Sequence, residues 1–353
     1  MAGESLAAQA RAQAYGLGFD LAGIAALGTP DTVASFDTWL AGGYAGEMHY
    51  LERGADLRRD ARRPEPGMRS AVVVAMNYGG TQPPGPIARY ARGDDYHGVM
   101  RDRLDELGRW FVAAGGGTAR TRSFVDTGPV LERDLACRAG LGWFGKNTNL
   151  INPGLGSFFF IGAMFTDAEL EPDAPFEADR CGSCTRCLDA CPTRAFTAPR
   201  TLDATRCISY LTIELKGEIP AALRPAIGEL LYGCDICQDV CPWNHKFAKE
   251  ASEAAFAPRA GRGSPDARTL ARSFLAMSRA EFSSGFRDSA VRRAKLTGLK
   301  RNACVVLGNV GTNDDVPPLA AALSDPEPLV REHAAWALGR FAIRGVADGR
   351  SDL

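Results

Sequence analysis

The sequence predicts three units in succession: an α/β layer, a small cysteine-rich unit of bacterial-ferredoxin type and an α-helical cap. Three observations carry that reading. A continuous apolar run of strand length, Ser70-Ala-Val-Val-Val-Ala-Met76, lies among helix-like segments of the N-terminal half. Two dense cysteine runs follow, Cys181-Gly-Ser-Cys184-Thr-Arg-Cys187-Leu-Asp-Ala-Cys191-Pro192 and Cys234-Asp-Ile-Cys237-Gln-Asp-Val-Cys241-Pro242. Near the end, Arg301-Asn-Ala-Cys-Val-Val-Leu307-Gly308 and Glu332-His-Ala-Ala-Trp-Ala-Leu338-Gly339 recur at a spacing of 31, as in a short HEAT-like solenoid. At 353 residues and 45% hydrophobic, the chain can bury more than one core. The expected units are 1–172, 173–250 and 265–345.

Residues 1–28 read as a helix and a short apolar segment, Leu17 to Ile24, that opens the α/β layer. Asp31 to Leu40 reads as a second helix, with Asp31 placed to cap it after Pro30. A glycine-loosened loop, Gly42 to Tyr50, leads to a basic stretch holding Arg58, Arg59, Arg62 and Arg63. Ser70 to Met76 is expected as a buried central strand, and Asn77-Tyr-Gly-Gly80 with Pro83 to Pro86 as loop. Arg89 to His97 is rich in Tyr, His, Arg and Asp and precedes an amphipathic helix, Val99 to Ala114. Such a segment suits equally the wall of a polar ligand site and an ordinary helix cap. Ser123 to Pro129 is a strand end turning into the helix Val130 to Arg138, whose Glu132 and Asp134 lie where the helix dipole favours ionised carboxylates.

Gly140-Leu-Gly-Trp143-Phe-Gly145-Lys146-Asn147-Thr-Asn149 packs three glycines, two aromatics and a lysine together. A tight turn needs one or two of those glycines; the remainder favour close backbone approach to a large ligand. Leu150 to Met164 reads as a hairpin of two buried strands about Pro153-Gly154, and Pro172 to Pro175 as a linker. Beyond the cysteines, Ala257 to Pro265 has low helix propensity, everything after it is helical, and residues 345–353 are expected to fray. With barely two repeat units, the solenoid must dock on the body to cover its faces.

The cysteine spacing follows ferredoxin arithmetic. Three thiolates two residues apart wrap one cluster, and the fourth, followed by proline, serves the other. The expected sets are Cys181, Cys184, Cys187 and Cys241 for one [4Fe-4S] cluster, and Cys191, Cys207, Cys234 and Cys237 for the second. Zinc has no use for a third cysteine within seven residues or for the trailing Cys-Pro pairs. Disulfide frameworks belong to small secreted chains. Cys137 and Cys304 are left as buried free thiols.

Formal charge is −1, so attraction to nucleic acid must come from a local patch. From Arg287 to Arg301 six basic residues (Arg287, Arg292, Arg293, Lys295, Lys300, Arg301) stand against one acid, Asp288. A solvated helix face and a phosphate-following face fit that stretch about equally. The first 30 residues show no signal pattern and no apolar run is long enough to span a membrane, which implies a cytoplasmic protein.

Taken together, Arg89-Tyr-Ala-Arg-Gly-Asp-Asp-Tyr-His97, Val125-Asp-Thr-Gly-Pro129, Arg138 to Asn147, the double cysteine motif, Cys207-Ile-Ser-Tyr-Leu-Thr-Ile-Glu214 and Gly233 to Asn244 resemble the epoxyqueuosine reductases over nearly the full length. The resemblance implies a cobalamin-dependent oxidoreductase that reduces epoxyqueuosine to queuosine at the wobble position of tRNA. It also implies an N-terminal cobalamin-binding module similar to that of reductive dehalogenases, with no Asp-x-His-x-x-Gly histidine ligand to cobalt. The family's acidic proton donor falls on Glu132, with Asp134 in reserve and Asp126 as a nearby partner. Arg58, Tyr96, His97, Asp126, Trp143, Lys146, Asn147, Ser157, Ser209, Gln238 and Asp239 are candidate cofactor contacts, and the Arg287–Arg301 face is the candidate tRNA anchor. A monomer fed by a low-potential electron donor is expected. The alternative is an iron-sulfur electron-transfer protein that serves a separate reductase.

Overall fold

The computed structural model describes residues 4–247, 249–263 and 266–347. Four strands, β1 (Leu21–Ala26), β2 (Ser70–Asn77), β3 (Thr121–Phe124) and β6 (Phe159–Thr166), form one antiparallel sheet in the order β1-β2-β6-β3. Helices α1 (Leu6–Gly16) and α3 (Tyr96–Ala114) cover one face, and α4 (Glu132–Arg138) covers the other. Val72, Val74 and Met76 point into the first core, while Ala71, Val73 and Ala75 point into the second. This is why the β2 sequence is apolar without alternation: alternate side chains face opposite layers, and neither layer is water. Gly23 of β1 lets α4 approach, since a Cβ there would lie 2.1 Å from the Ala139 carbonyl oxygen.

Several expected boundaries move. Helix α2 spans Val33–Ala41, and its N-cap is Thr32 rather than Asp31, because the Thr32 amide and hydroxyl are both held by Asp134 at 2.9 Å. Helix α3 starts at Tyr96, capped by Asp95, so Tyr96 and His97 sit in its first turn instead of the preceding loop. Helix α4 begins at Glu132, two residues later than its apolar pattern suggested. The expected 150–164 hairpin does not form. Its turn exists, closed by the Asn152–Gly156 bridge, but β5 (Leu150–Ile151) pairs with β4 (Trp143–Phe144), while β6 joins the main sheet. Two short apolar strands either side of Pro-Gly cannot signal that their partners lie elsewhere.

The cysteine-rich unit is mostly loop and single helical turns, plus one longer helix, α5 (Ile208–Ile213). It is fastened to the α/β layer at Ser157. Asn244 Oδ1 accepts from the Ser157 amide at 2.6 Å, and Asn244 Nδ2 donates to the Ser157 hydroxyl at 3.0 Å. Gly156, at φ +74°, is required there, for a Cβ would lie 2.1 Å from Asn244 Oδ1.

The cap comprises α6 (Ala267–Ala276), α7 (Arg279–Gly285), α8 (Lys295–Val310), α9 (Val316–Ala322) and α10 (Pro328–Ala347). The two similar sequence segments lie on α8 and α10, which pack together. Residues 345–347, expected to fray, are helical; residues 348–353, with Ser264 and Pro265, lie outside the described residues. As expected of so short a solenoid, the cap shares a core with the body, including Ile87, Ile213, Leu231 and Tyr232. Among the described residues, no helix is long and apolar enough to cross a membrane.

Candidate functional site

Burying thiols near one another is unfavourable for ionisation, so their grouping is informative. Cys181, Cys184, Cys187 and Cys241 line one cavity of about 300 Å³. Cys191, Cys207, Cys234 and Cys237 form the second group, each within electrostatic reach of others in it. These are the two sets expected from the spacing. Burial, followed by neighbouring thiols, pushes Cys187 up to about 11, and burial pushes Cys234 up to about 12; a metal would replace those protons. Among the described residues, no three His, Cys, Asp or Glu side chains close on the spacing of a single metal ion. The thiols surround a volume rather than a point. Trp143, only 3% exposed, has an indole N–H without a partner and packs beside Cys181 and Cys241. A cluster sulfur is the acceptor that would satisfy such a donor. Donor set and orphaned N–H both fit two iron-sulfur clusters.

Lys146 and Asn147, expected at a corrin, bond the cysteine loops. Lys146 Nζ donates to the Gly182 and Cys184 carbonyls at 2.6 and 3.0 Å, and Asn147 Nδ2 to the Cys237 carbonyl at 3.3 Å. Trp143 belongs to the same group. Ser209 bonds the Cys207 thiol. The polar groups of Lys146, Asn147 and Ser209 are thus engaged by the loops that carry the thiols, while the glycines of this segment let it pack on β5. A Cβ on Gly142 would meet the Ile151 carbonyl oxygen at 2.2 Å.

Ser157 and Gln238 are also internal. Gln238 Nε2 donates to the Ser157 carbonyl at 3.0 Å and to its hydroxyl at 3.1 Å. Asp239, with Asp235, is paired to the buried Arg89. These residues join the cluster unit to the α/β layer and do not present free polar groups.

The remaining candidates converge on a cleft where the first turns of α3 and α4 meet. The Asp126 amide donates to Glu132 Oε1 at 2.6 Å. His97 is held from both sides, Nδ1 by Asp95 at 2.6 Å and Nε2 by Asp126 at 3.3 Å, and Tyr96 also bonds Asp126. Asp126 adopts φ +54°, a left-handed turn that Asp tolerates. Protein closes round Asp126, Glu132 and Arg133 on most sides, yet the Asp126 and Arg133 side chains remain solvent-accessible. Glu132 is half-buried between them. Arg58 and Tyr50 lie within electrostatic reach of this group.

Burial, then the charge of Asp126, raises the Glu132 carboxyl to about 8. Burial would lower His97, but its bonds to Asp126 and Asp95 outweigh that and raise it to about 9. At neutral pH the cleft thus holds a protonated carboxyl next to an imidazolium with both nitrogens engaged. Asp134 is elsewhere. It is 2% exposed, salt-bridged to Arg138 at 2.8 Å and bonded to Thr32. The roughly 200° separation of helix positions i and i+2 sends it to the opposite side of α4.

The basic stretch of the cap does not form one face. Arg287, Arg292, Arg293 and Lys295 are exposed, and Arg293 pairs with Glu214 at 2.8 Å while stacking over Tyr50. Lys300 is paired with Asp325. Arg301, 1% exposed, donates to the carbonyls of Leu211, Leu215 and Gly217. Those last two are structural: Lys300 pairs within the cap, and Arg301 faces the body. Sequence reasoning missed Tyr50, Arg133 and the Thr32 bond to Asp134. Only Arg133 carried a signal, its place beside Glu132.

Family models match three stretches: epoxyqueuosine reductase QueG, DUF1730, over residues 58–127; a 4Fe-4S double cluster binding domain over 180–244; and HEAT repeats over 289–348. The chain is 42% identical to the epoxyqueuosine reductase of Xanthomonas campestris pv. campestris, with 96% of each chain covered. It is 43% identical to that of Pseudomonas aeruginosa, covering 92% of this chain and 91% of the relative. Among solved structures, it is similar to an epoxyqueuosine reductase determined with an epoxyqueuosine-modified tRNA-Tyr stem loop. There the TM-score is 0.82 at 33% identity, covering 94% of this chain and 89% of the other.

Proposed function

Since the chain belongs to the epoxyqueuosine reductase family, we propose that it removes the epoxide oxygen of epoxyqueuosine at the tRNA wobble position and leaves the alkene of queuosine. The reaction consumes two electrons and two protons and releases water. The two thiol sets hold two [4Fe-4S] clusters, which pass electrons singly. Cobalamin bound beside Glu132 would supply low-potential metal chemistry that the side chains alone lack. Arg58, Tyr50 and Arg133 offer donors to the amide and nucleotide periphery of such a cofactor. His97, with both nitrogens occupied by aspartates, orients Asp126 and is not free to ligate cobalt.

The observation that carries this reading is Glu132, a carboxyl protonated at neutral pH, held by the Asp126 amide at 2.6 Å in a chain that also carries a two-cluster unit. Opening an epoxide leaves an alkoxide, a poor leaving group, and Glu132 is placed to give that oxygen a proton. Asp126, held by His97, fixes the Glu132 carboxyl in place through its backbone amide. The exposed Arg287, Arg292 and Lys295 support contact with tRNA phosphates. The protein acts as a cytoplasmic monomer reduced by a low-potential donor.

Anaerobically reconstituted protein should bind about eight irons and stoichiometric cobalamin, and should convert an epoxyqueuosine-containing stem loop under a low-potential reductant. A fully loaded protein inert on that substrate would overturn the reading. Clusters without corrinoid binding would favour a dedicated electron-transfer protein.

A further inference from the structure

The first thiol set lies at the surface of the molecule. Gly182, Ser183, Thr185 and Arg186, the residues between its cysteines, are exposed, whereas the second set is flanked by the buried Ile208, Leu211, Leu231 and Tyr232. Electrons therefore enter at the first set, and what surrounds it decides what can deliver them. Its cavity is lined by no carboxylate and by four cations: Lys146, whose ammonium is held by the Gly182 and Cys184 carbonyls, and Arg180, Arg186 and Lys246. None of the last three cations belongs to an ion pair among the described residues. Arg180 rests over the Phe176 ring at 5.6 Å and Lys246 over the Phe247 ring at 5.4 Å. Of the nearby acids, Asp179 is paired to Arg200, and Asp189 accepts from the Thr185 hydroxyl and forms no ion pair with the three cations. Between the cations lie Trp243 and Phe247, both half-buried. In a chain of net charge −1, three unpaired cations round a small aromatic floor form a local positive field.

We propose that this face is the docking site of a small acidic electron-carrier protein, which passes electrons one at a time to the cluster held by Cys181, Cys184, Cys187 and Cys241. The proposal rests on the two-cluster reading. Each encounter oxidises the carrier by one electron and reduces that cluster by one; two encounters supply one turnover. A charged rim with a small apolar centre is the pattern of a transient redox contact, in which opposite charge raises the encounter rate and the modest area permits rapid release.

The test uses cofactor-loaded protein and a reduced acidic flavodoxin as the probe. In the variant R180E/R186E/K246E, the second-order rate of cluster reduction by flavodoxin should fall about 10- to 100-fold at low ionic strength. The wild-type rate should fall steeply with added salt, and the variant's should not. Reduction by photoreduced deazaflavin, a small molecule with no protein surface, should stay within about twofold, with iron content unchanged. The single variant Arg186→Gln, whose side chain touches no described ion-pair partner, should show a smaller loss in the same direction. Equal flavodoxin rates in wild type and both variants, or salt-independent wild-type kinetics, would overturn the proposal. Iron content well below eight in the wild type would instead sink the two-cluster reading.

Discussion

Two carboxylates two residues apart have opposite fates, and the backbone decides which is which. Glu132 opens α4 toward the cleft, while Asp134 turns under it. The substitution Glu132→Gln keeps the shape but loses the transferable proton. Turnover of an epoxyqueuosine stem loop should drop by ~10² to 10⁴ while both cofactors stay bound, as single-turnover assays with iron and cobalamin counts will show. Because the Glu132 carboxyl is raised to about 8, its acid form exists below that pH and disappears above it. The rate should therefore fall as pH rises through about 8. Asp126→Asn removes the second cause of that rise and should move the falling limb to lower pH. At the first cluster, Trp143→Phe deletes the orphaned N–H donor; redox titration followed by electron paramagnetic resonance should give a lower midpoint potential for that cluster only. The cluster cysteines were legible because their spacing is itself the chemistry. The bonds of Lys146 and Asn147 to the cysteine loops could not be read in advance, since a glycine-rich polar loop looks the same whether it approaches a corrin or a neighbouring backbone.

At the scale of elements, α4 is held by its far side. Asp134 receives two bonds from Thr32 and one from Arg138, and so ties α2 to α4 beneath the sheet. Asp134→Asn leaves the Arg138 guanidinium short of its buried partner and should cost roughly 3 kcal/mol of stability. Chemical denaturation will register that loss, while the pH limb near 8 stays in place. The sequence showed β2 and the helix periodicities, because burial on two faces and amphipathic stripes leave direct marks. It could not show that β5 and β6 belong to different sheets. Strand partners 80 or more residues apart, such as Asn77 and Phe159, are chosen by the assembled layers rather than by the local pattern.

The whole molecule is three units sharing contacts that none could make alone. The cap is docked through Arg301, whose guanidinium satisfies three carbonyls of the cluster unit. Arg301→Leu strands those acceptors and should cost about 3 kcal/mol or more. Limited proteolysis should then cut near residues 257–263 faster than in the wild type. The order of units was readable from cysteine runs and repeat spacing, but their mutual fit was not. It depends on buried polar contacts such as Ser157 with Asn244, which carry no periodic signal. The crossing of the thiol sets also dictates the timetable of biogenesis. A ribosome making this chain releases Cys181 to Cys191 early, yet neither set is complete until Cys237 and Cys241 have emerged. Iron loading must wait for two-thirds of the protein to be synthesised, and the nascent segment until then is a string of exposed thiols that oxygen can reach.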